Sequence, residues 1–363
     1  MMHRIKKAVF IIVLLIITSC GLTEKSKSSQ DTPLEEITSN SFKTDIDEYL
    51  EEVIQENDIP GVALGVVKNG TTVYETYIGK ASLETGEEVG ENTLFRVYST
   101  TKLITVTAIF KLIEDQRIDL NDSISMYIDN LPETWKDRKI HHLISHSSGL
   151  PDMSNFSYGL TEQNLLRELN KVELEFEAGE KWSYNQTNYW FLAKIIERIS
   201  SLTYEDFVFK NQFENNKNGI VFSSNHTDLI EGKAPLHWFN PESKEYERVK
   251  VDFAPRANSG SGLHLSLREF VEWNKRLDKN ILLSEETKQM MWKPYVFANE
   301  NDDFLYGWGT YDNNSIGFTG SGVTGYRKFL DHDLTILFLS NGFKSDPAHN
   351  EIIDTVAKII LQN

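Results

Sequence analysis

Runs with β character sit only toward the two ends of this chain, and that limits the folds open to it. Near the start, Gly61-Val-Ala-Leu-Gly-Val-Val67 is almost continuously apolar, and Thr71 to Ile78 is rich in Thr, Val and Tyr. Lys68-Asn69-Gly70 separates them. An Asn-Gly between two β-rich runs predicts a tight antiparallel hairpin. Strand-like runs return only late, at Gly307 to Tyr311, Ser315 to Thr319, Gly325 to Leu330 and Leu334 to Ser340. Asp331-His332-Asp333 joins the last two as a second hairpin. Helical spacing marks Phe42 to Glu56, and Leu103 to Glu114 and Ile352 to Leu361 also read as helices. From about Asn121 to Glu300 the pattern is helical and loop-rich. The expected fold is α+β. One antiparallel sheet is completed by N- and C-terminal strands and flanked by helices, and a helical lobe is inserted at about 121–300.

The N-terminus reads as processing rather than fold. His3, Arg4, Lys6 and Lys7 precede an apolar run from Ala8 to Ile17, too short to span a bilayer but suited to a signal-peptide core. Small residues then lead to Cys20, in Ile17-Thr18-Ser19-Cys20-Gly21, which resembles a bacterial lipoprotein cleavage box. Residues 1–19 are thus expected to be removed, with Cys20 becoming a lipidated first residue. Polar residues 20–40 form a tether, and 41–363 form the folded body. The expected location is extracytoplasmic, with a lipid anchor in a bacterial membrane. Cys20 is the only cysteine, so no internal disulfide and no cysteine-rich zinc site can form. Losing Arg4, Lys6 and Lys7 takes the formal charge from −17 to −20, which argues against nucleic acid as a partner.

Three segments carry chemistry. Ser99-Thr100-Thr101-Lys102 stands at the start of a predicted helix, where residues three apart share a face. Ser99 is then an activatable nucleophile and Lys102 a base, with the helix N-terminus adding positive potential. The same residues also suit a capping serine with a solvent-facing lysine. Tyr184, in Trp182-Ser-Tyr-Asn-Gln186, precedes another helix; a phenol beside a cation can shuttle a proton, or simply plug a core. Phe318-Thr319-Gly320-Ser321-Gly322 ends a late strand, where a backbone N–H could pair with that of Ser99 as an oxyanion hole, or form a plain turn.

In this order the three segments resemble the serine β-lactamase and penicillin-binding-protein superfamily. They are most similar to its class C branch of D,D-carboxypeptidases, D-aminopeptidases and esterases. Leu143-Ile-Ser-His-Ser-Ser-Gly-Leu-Pro151, Gly260-Ser-Gly-Leu263, Tyr306-Gly-Trp-Gly309 and Leu339-Ser-Asn-Gly342 extend the resemblance from about Phe42 to Leu361. It implies an acyl-serine mechanism: Ser99 attacks, Lys102 and Tyr184 move the proton, and the Ser99 and Ser321 N–H groups hold the oxyanion. It also implies substrate contacts at Gln186, Phe318, Thr319 and Gly320.

Two departures stand out. The second motif reads Tyr184-Asn185-Gln186 where the family has Tyr-x-Asn. Phe318 also replaces the usual Lys or His of the third motif, and it can neither carry charge nor donate a hydrogen bond. The expectation is a hydrolase of a small-molecule or peptide ester or amide, less anionic and more apolar than a β-lactam, with weak or no β-lactamase activity. The competing expectation is a non-catalytic or slowly acylating lipoprotein that binds peptidoglycan fragments or a protein partner. No cofactor and no metal are expected. His142 and His146 have i,i+4 spacing but lack the following Glu of a zinc helix, and no phosphate or dinucleotide loop occurs.

Overall fold

The computed structural model describes residues 34–299, 303–344 and 349–362. The signal peptide and Cys20 lie outside the described residues. Helix α1 (Leu34–Asn57) leads into strands β1 (Gly61–Lys68) and β2 (Thr71–Gly79). Asn69 and Gly70 turn between them with φ of 51° and 70°, the paired positive values that match a hairpin's twist. A two-residue β3 (Phe95–Arg96) precedes α2 (Thr101–Glu114). Then follow α3 (Ile140–Ile144), α4 (Glu162–Leu169), α5 (Gln186–Ser200) and α6 (Tyr204–Gln212). Strands β4 (Ile220–Phe222), β5 (His237–Asn240) and β6 (Glu245–Arg248) come next, then α7 (Asn258–Ser261), β7 (Leu263–Leu265), α8 (Leu267–Asp278) and α9 (Glu285–Met291). The chain closes with β8 (Gly309–Tyr311), β9 (Ser315–Gly320), β10 (Thr324–Phe329), β11 (Leu334–Ser340), β12 (Gly342–Phe343) and α10 (His349–Gln362).

The main sheet has six strands in the order β2-β1-β11-β10-β9-β8, all antiparallel. The two ends of the chain thus meet at β1 and β11, where Val62 pairs with Ser340 and Lys68 with Leu334. Strand β1 is apolar from Gly61 to Val67 because both its faces are covered there. Val62, Leu64 and Val66 pack with Ile46, Leu50, Ile353 and Val356 of α1 and α10. Its other face meets α8, and Gly65 lets that helix come close: a Cβ there would lie 3.1 Å from both Leu267 and Val271.

Helix α2 lies ahead of residues 121–300 in sequence and packs on α5, α6 and α7 from within them. Its residues Thr101 to Phe110 are buried on every side, as a helix enclosed by others must be. Residues 121–300 are not purely helical: β4 and β7 form a small sheet with β3, and β5 and β6 another with β12. These strands are too short to print a two-residue alternation, and β5–β6 is largely polar and half exposed, so periodicity gave no strand there.

Candidate active site

Hydrogen bonds to Leu263, Thr324 and Phe318 fix the segment around Ser99. The Val97 N–H donates to the Leu263 carbonyl at 2.9 Å, extending the β3–β7 pairing. The Val97 carbonyl in turn accepts from Thr324 Oγ1 at 3.0 Å, and Thr100 Oγ1 donates to the Phe318 carbonyl at 3.4 Å. Gly320 makes this docking possible, since a Cβ there would fall 2.2 Å from the Val97 oxygen. Tyr98 to Thr100 form a 3-10 turn that runs directly into α2. Ser99 is therefore one turn ahead of the α-helix and is the partly exposed member of an otherwise buried stretch.

Tyr184 reaches Ser99 from the opposite wall. Its hydroxyl donates to Ser99 Oγ at 2.7 Å. The loop that carries it is held by His146, whose carbonyl accepts from the Ser183 N–H at 2.8 Å and whose Nδ1 accepts from the Asn185 N–H at 3.1 Å. The imidazole packs beside the phenol ring, centroids 4.7 Å apart. Complete burial, together with the nearby Lys102 charge, keeps the His146 pKa well below the ordinary imidazole value, so the ring is neutral. Asn185 itself caps α5, its side chain accepting from the Asn188 N–H and donating to the Leu150 carbonyl.

Lys102 is fully buried and has no carboxylate bonded to it. Its Nζ donates to Gln186 Oε1 at 3.1 Å and to the Gly260 carbonyl at 2.9 Å. It also lies over two aromatic faces, 4.8 Å from the Tyr184 centroid and 4.9 Å from that of Tyr189. The i,i+3 spacing suggested a direct approach of this amine to Ser99. In the structure its two hydrogen bonds go elsewhere, and its link to Ser99 runs through Tyr184. The extra methylene of Gln186 is accommodated at Gly260, where a Cβ would stand only 2.7 Å from the Gln186 oxygen. The longer side chain therefore keeps its hydrogen bond to the lysine.

Beside these groups lies a cavity of about 340 Å³, lined by Ser99, Gln186 and Ser321. Ser321 and Gly322 have φ of 47° and 71° in a tight turn closed by Val323 N–H to the Gly320 carbonyl at 2.9 Å. Of the other residues proposed for substrate, none lines this cavity. Gly320 is packed on Val97, and Thr319 hydrogen-bonds the Tyr311 phenol. The Phe318 ring is buried in the core, 6.5 Å from the Tyr184 ring. An apolar side chain thus stands beside Tyr184 where the related motif carries a cation. Leu236, Val249, Val251 and Phe253 also line the cavity, as do Arg96, Tyr98 and His226. Sequence reasoning missed these residues and the role of the Gly260 carbonyl, because they come from segments with no local motif of their own.

His141 and His142 do not converge with His146 on a common point. His142 Nδ1 accepts from the Lys139 N–H at 3.0 Å, and His141 Nδ1 lies 3.2 Å from the Tyr295 hydroxyl. Among the described residues no group of three or more His, Cys, Asp or Glu is placed to hold a metal. No helix among them is long and apolar enough to cross a membrane.

Comparison with known proteins bears on the family and the fold. The sequence profile of the family described as "Beta-lactamase" matches residues 46–359. Protein flp of Staphylococcus aureus (strain COL) is 26% identical over 178 residues, covering 47% of this chain and 36% of that protein. The matched stretch is thus about a third of that relative's length. Penicillin-binding protein 4* of Bacillus subtilis (strain 168) is 23% identical over 321 residues, 81% of this chain and 70% of that one. Among solved structures, EstCE1, a hydrolase with promiscuous acyltransferase activity, superposes with a TM-score of 0.74 at 17% identity, covering 88% of this chain and 99% of the other. That likeness is one of fold.

Proposed function

The chain belongs to the beta-lactamase family, and from that premise we propose that it is a serine hydrolase working through an acyl-Ser99 intermediate on an ester, amide or peptide. The observation that carries this reading is the 2.7 Å contact between Tyr184 Oη and Ser99 Oγ, with the Lys102 ammonium 4.8 Å from the same phenol ring. As Ser99 Oγ bonds the substrate carbonyl carbon, its proton passes by way of the Tyr184 hydroxyl to the leaving group, whose bond to that carbon breaks. The Ser99 and Ser321 N–H groups would hold the oxyanion at the cavity edge. Water attacks the acyl-serine in the second half, activated by the same pair. The retained bond from Lys102 to Gln186 favours catalysis over a purely binding role.

Phe318 does not line the cavity, and its bearing on the substrate is through the cation it replaces beside Tyr184: with no charge there for a substrate carboxylate, the reading is weak β-lactamase activity and a preference for esters or amides without an anionic group. The Cys20 signal supports a lipid-anchored, extracytoplasmic enzyme. The test is mass spectrometry of the intact protein after a fluorophosphonate, alongside turnover of an ester panel. A single adduct on Ser99, absent from a folded Ser99→Ala variant that also loses turnover, is the expected result. A folded wild type with neither adduct nor turnover sinks the proposal. For the anchor, Cys20→Ala should move the protein from the membrane to the soluble fraction.

A further inference from the structure

The residue before Ser99 is a tyrosine in the left-handed region, with φ of 45°. For a bulky side chain this is a true outlier, and such a conformation persists only where its surroundings hold it. The side chain shows what does so. The Tyr98 hydroxyl donates to His226 Nε2 at 3.1 Å. His226 Nδ1 bonds the Val251 carbonyl, which requires the proton on Nδ1 and leaves Nε2 free to accept. Arg96 completes the arrangement: its guanidinium lies over the phenol ring, 4.8 Å from the centroid, and Nη1 is 3.2 Å from His226 Nε2. Burial and the Arg96 charge bring the imidazole pKa down to about 4, so the acceptor is present at neutral pH.

Tyr98, His226 and Ser99 all line the same cavity. None of the three partners of this network belongs to the Ser99, Lys102 and Tyr184 set, and His226 lies 128 residues from Tyr98 in sequence. We infer that Tyr98 is a positioning residue for the nucleophile: latched to His226, its phenol holds the left-handed turn that aims Ser99 Oγ at Tyr184. The inference rests on the reading of Ser99 as the nucleophile. A latch of this kind acts on the rate of acylation rather than on substrate affinity, because a small misplacement of an attacking atom costs rate steeply.

The test compares wild type with Tyr98→Phe, His226→Leu, Tyr98→Gly and the Tyr98→Phe/His226→Leu double variant. The readouts are the rate of Ser99 labelling by a fluorophosphonate, kcat and KM on a small acetate ester, and the melting temperature. Tyr98→Phe keeps the ring and removes only the hydroxyl. It should label and turn over about tenfold more slowly or worse, with KM within about twofold of wild type. The double variant should be no slower than the slower single, since both break one latch. Tyr98→Gly accepts the backbone angle freely, guarding against a fold failure in the others, and should still label slowly because the phenol's bond to His226 is gone. Wild-type labelling and kcat in Tyr98→Phe, with only a lowered melting temperature, would assign the network to stability and overturn the inference alone. A folded wild type that takes no label overturns the hydrolase reading and the latch with it.

Discussion

Adding one methyl group at Gly260 tests how the site tolerates its altered second motif. In Gly260→Ala the new Cβ would stand 2.7 Å from Gln186 Oε1, 3.5 Å from Lys102 Nζ and 3.7 Å from the Tyr189 Cβ. The close contact is with the end of a flexible side chain, so Gln186 rotates away at little steric cost. What is lost is its 3.1 Å bond from the buried Lys102 ammonium, which leaves the Gly260 carbonyl as the only hydrogen-bond acceptor. A hydrogen bond to a charged group contributes about 1.5–3 kcal/mol. With an unfolding entropy of ~2.1 cal/mol/K per residue, a body of about 320 residues loses roughly 2–5 °C in melting temperature. Catalysis suffers more, since an amine free to drift from Tyr184 lowers kcat by about ten- to a hundredfold. Differential scanning calorimetry and ester turnover measure the two effects. The decisive comparison is the cycle with Gln186→Ala: if the methyl acts only by displacing the amide, Gly260→Ala adds nothing once Gln186 is gone. Additive losses, or a Gly260→Ala variant with wild-type kcat, would refute this account of how glutamine fits.

Other outcomes follow from the same geometry. Tyr184→Phe keeps the ring between His146 and Phe318 but removes the hydroxyl at Ser99, so turnover should drop by about 10²-fold or more at nearly unchanged melting temperature; a fall of less than threefold (well under the ~10² of a proton-transfer residue) would assign proton transfer to Lys102 alone. Nitrocefin turnover by the wild type should stay far below that of a simple ester, and comparable rates would show that Phe318 does not limit β-lactam chemistry. Burial is the main cause holding His141 at about 4 and His142 at about 3. The unfolded chain takes up these protons near ~6.5, so their stability contribution is complete above that pH and is lost as pH falls toward about 4 for His141 and about 3 for His142. Melting curves between those limits should slope less steeply in His142→Asn, and an unchanged slope would count against a neutral His142. Gly320→Ala would drive a Cβ to 2.2 Å from the Val97 carbonyl, a backbone contact that cannot rotate away, and should cost both stability and Ser99 reactivity, read as melting temperature and labelling rate.

Elements with a local cause were legible in the sequence. The β1–β2 hairpin follows from Asn69-Gly70, whose positive φ values are a property of those two residue types. The pairing of β1 with β11 was implied once strands appeared only at the two ends, because an apolar strand such as Gly61 to Val67 needs cover on both faces. Short strands β4 to β7 were not legible, since three or four residues carry no period and their pairing is set by the neighbours they meet.

The sequence by itself determined which residue types were available: a serine before a buried helix, a lysine three residues on, a tyrosine ahead of another helix, and a phenylalanine where a cation is usual. Only the tertiary structure decided how they connect. It put Tyr184 against Ser99 across 85 residues of chain and Lys102 against the Gly260 carbonyl across 158. It also selected Gln186, rather than the adjacent Asn185, as the amide that meets the lysine, because Asn185 is spent capping α5 and bonding Leu150. The physical reason is range. Turn angles, caps and periodicity act over a few residues and leave their mark on neighbouring letters. A hydrogen bond between distant segments depends on where packing leaves space, here the missing side chain of Gly260.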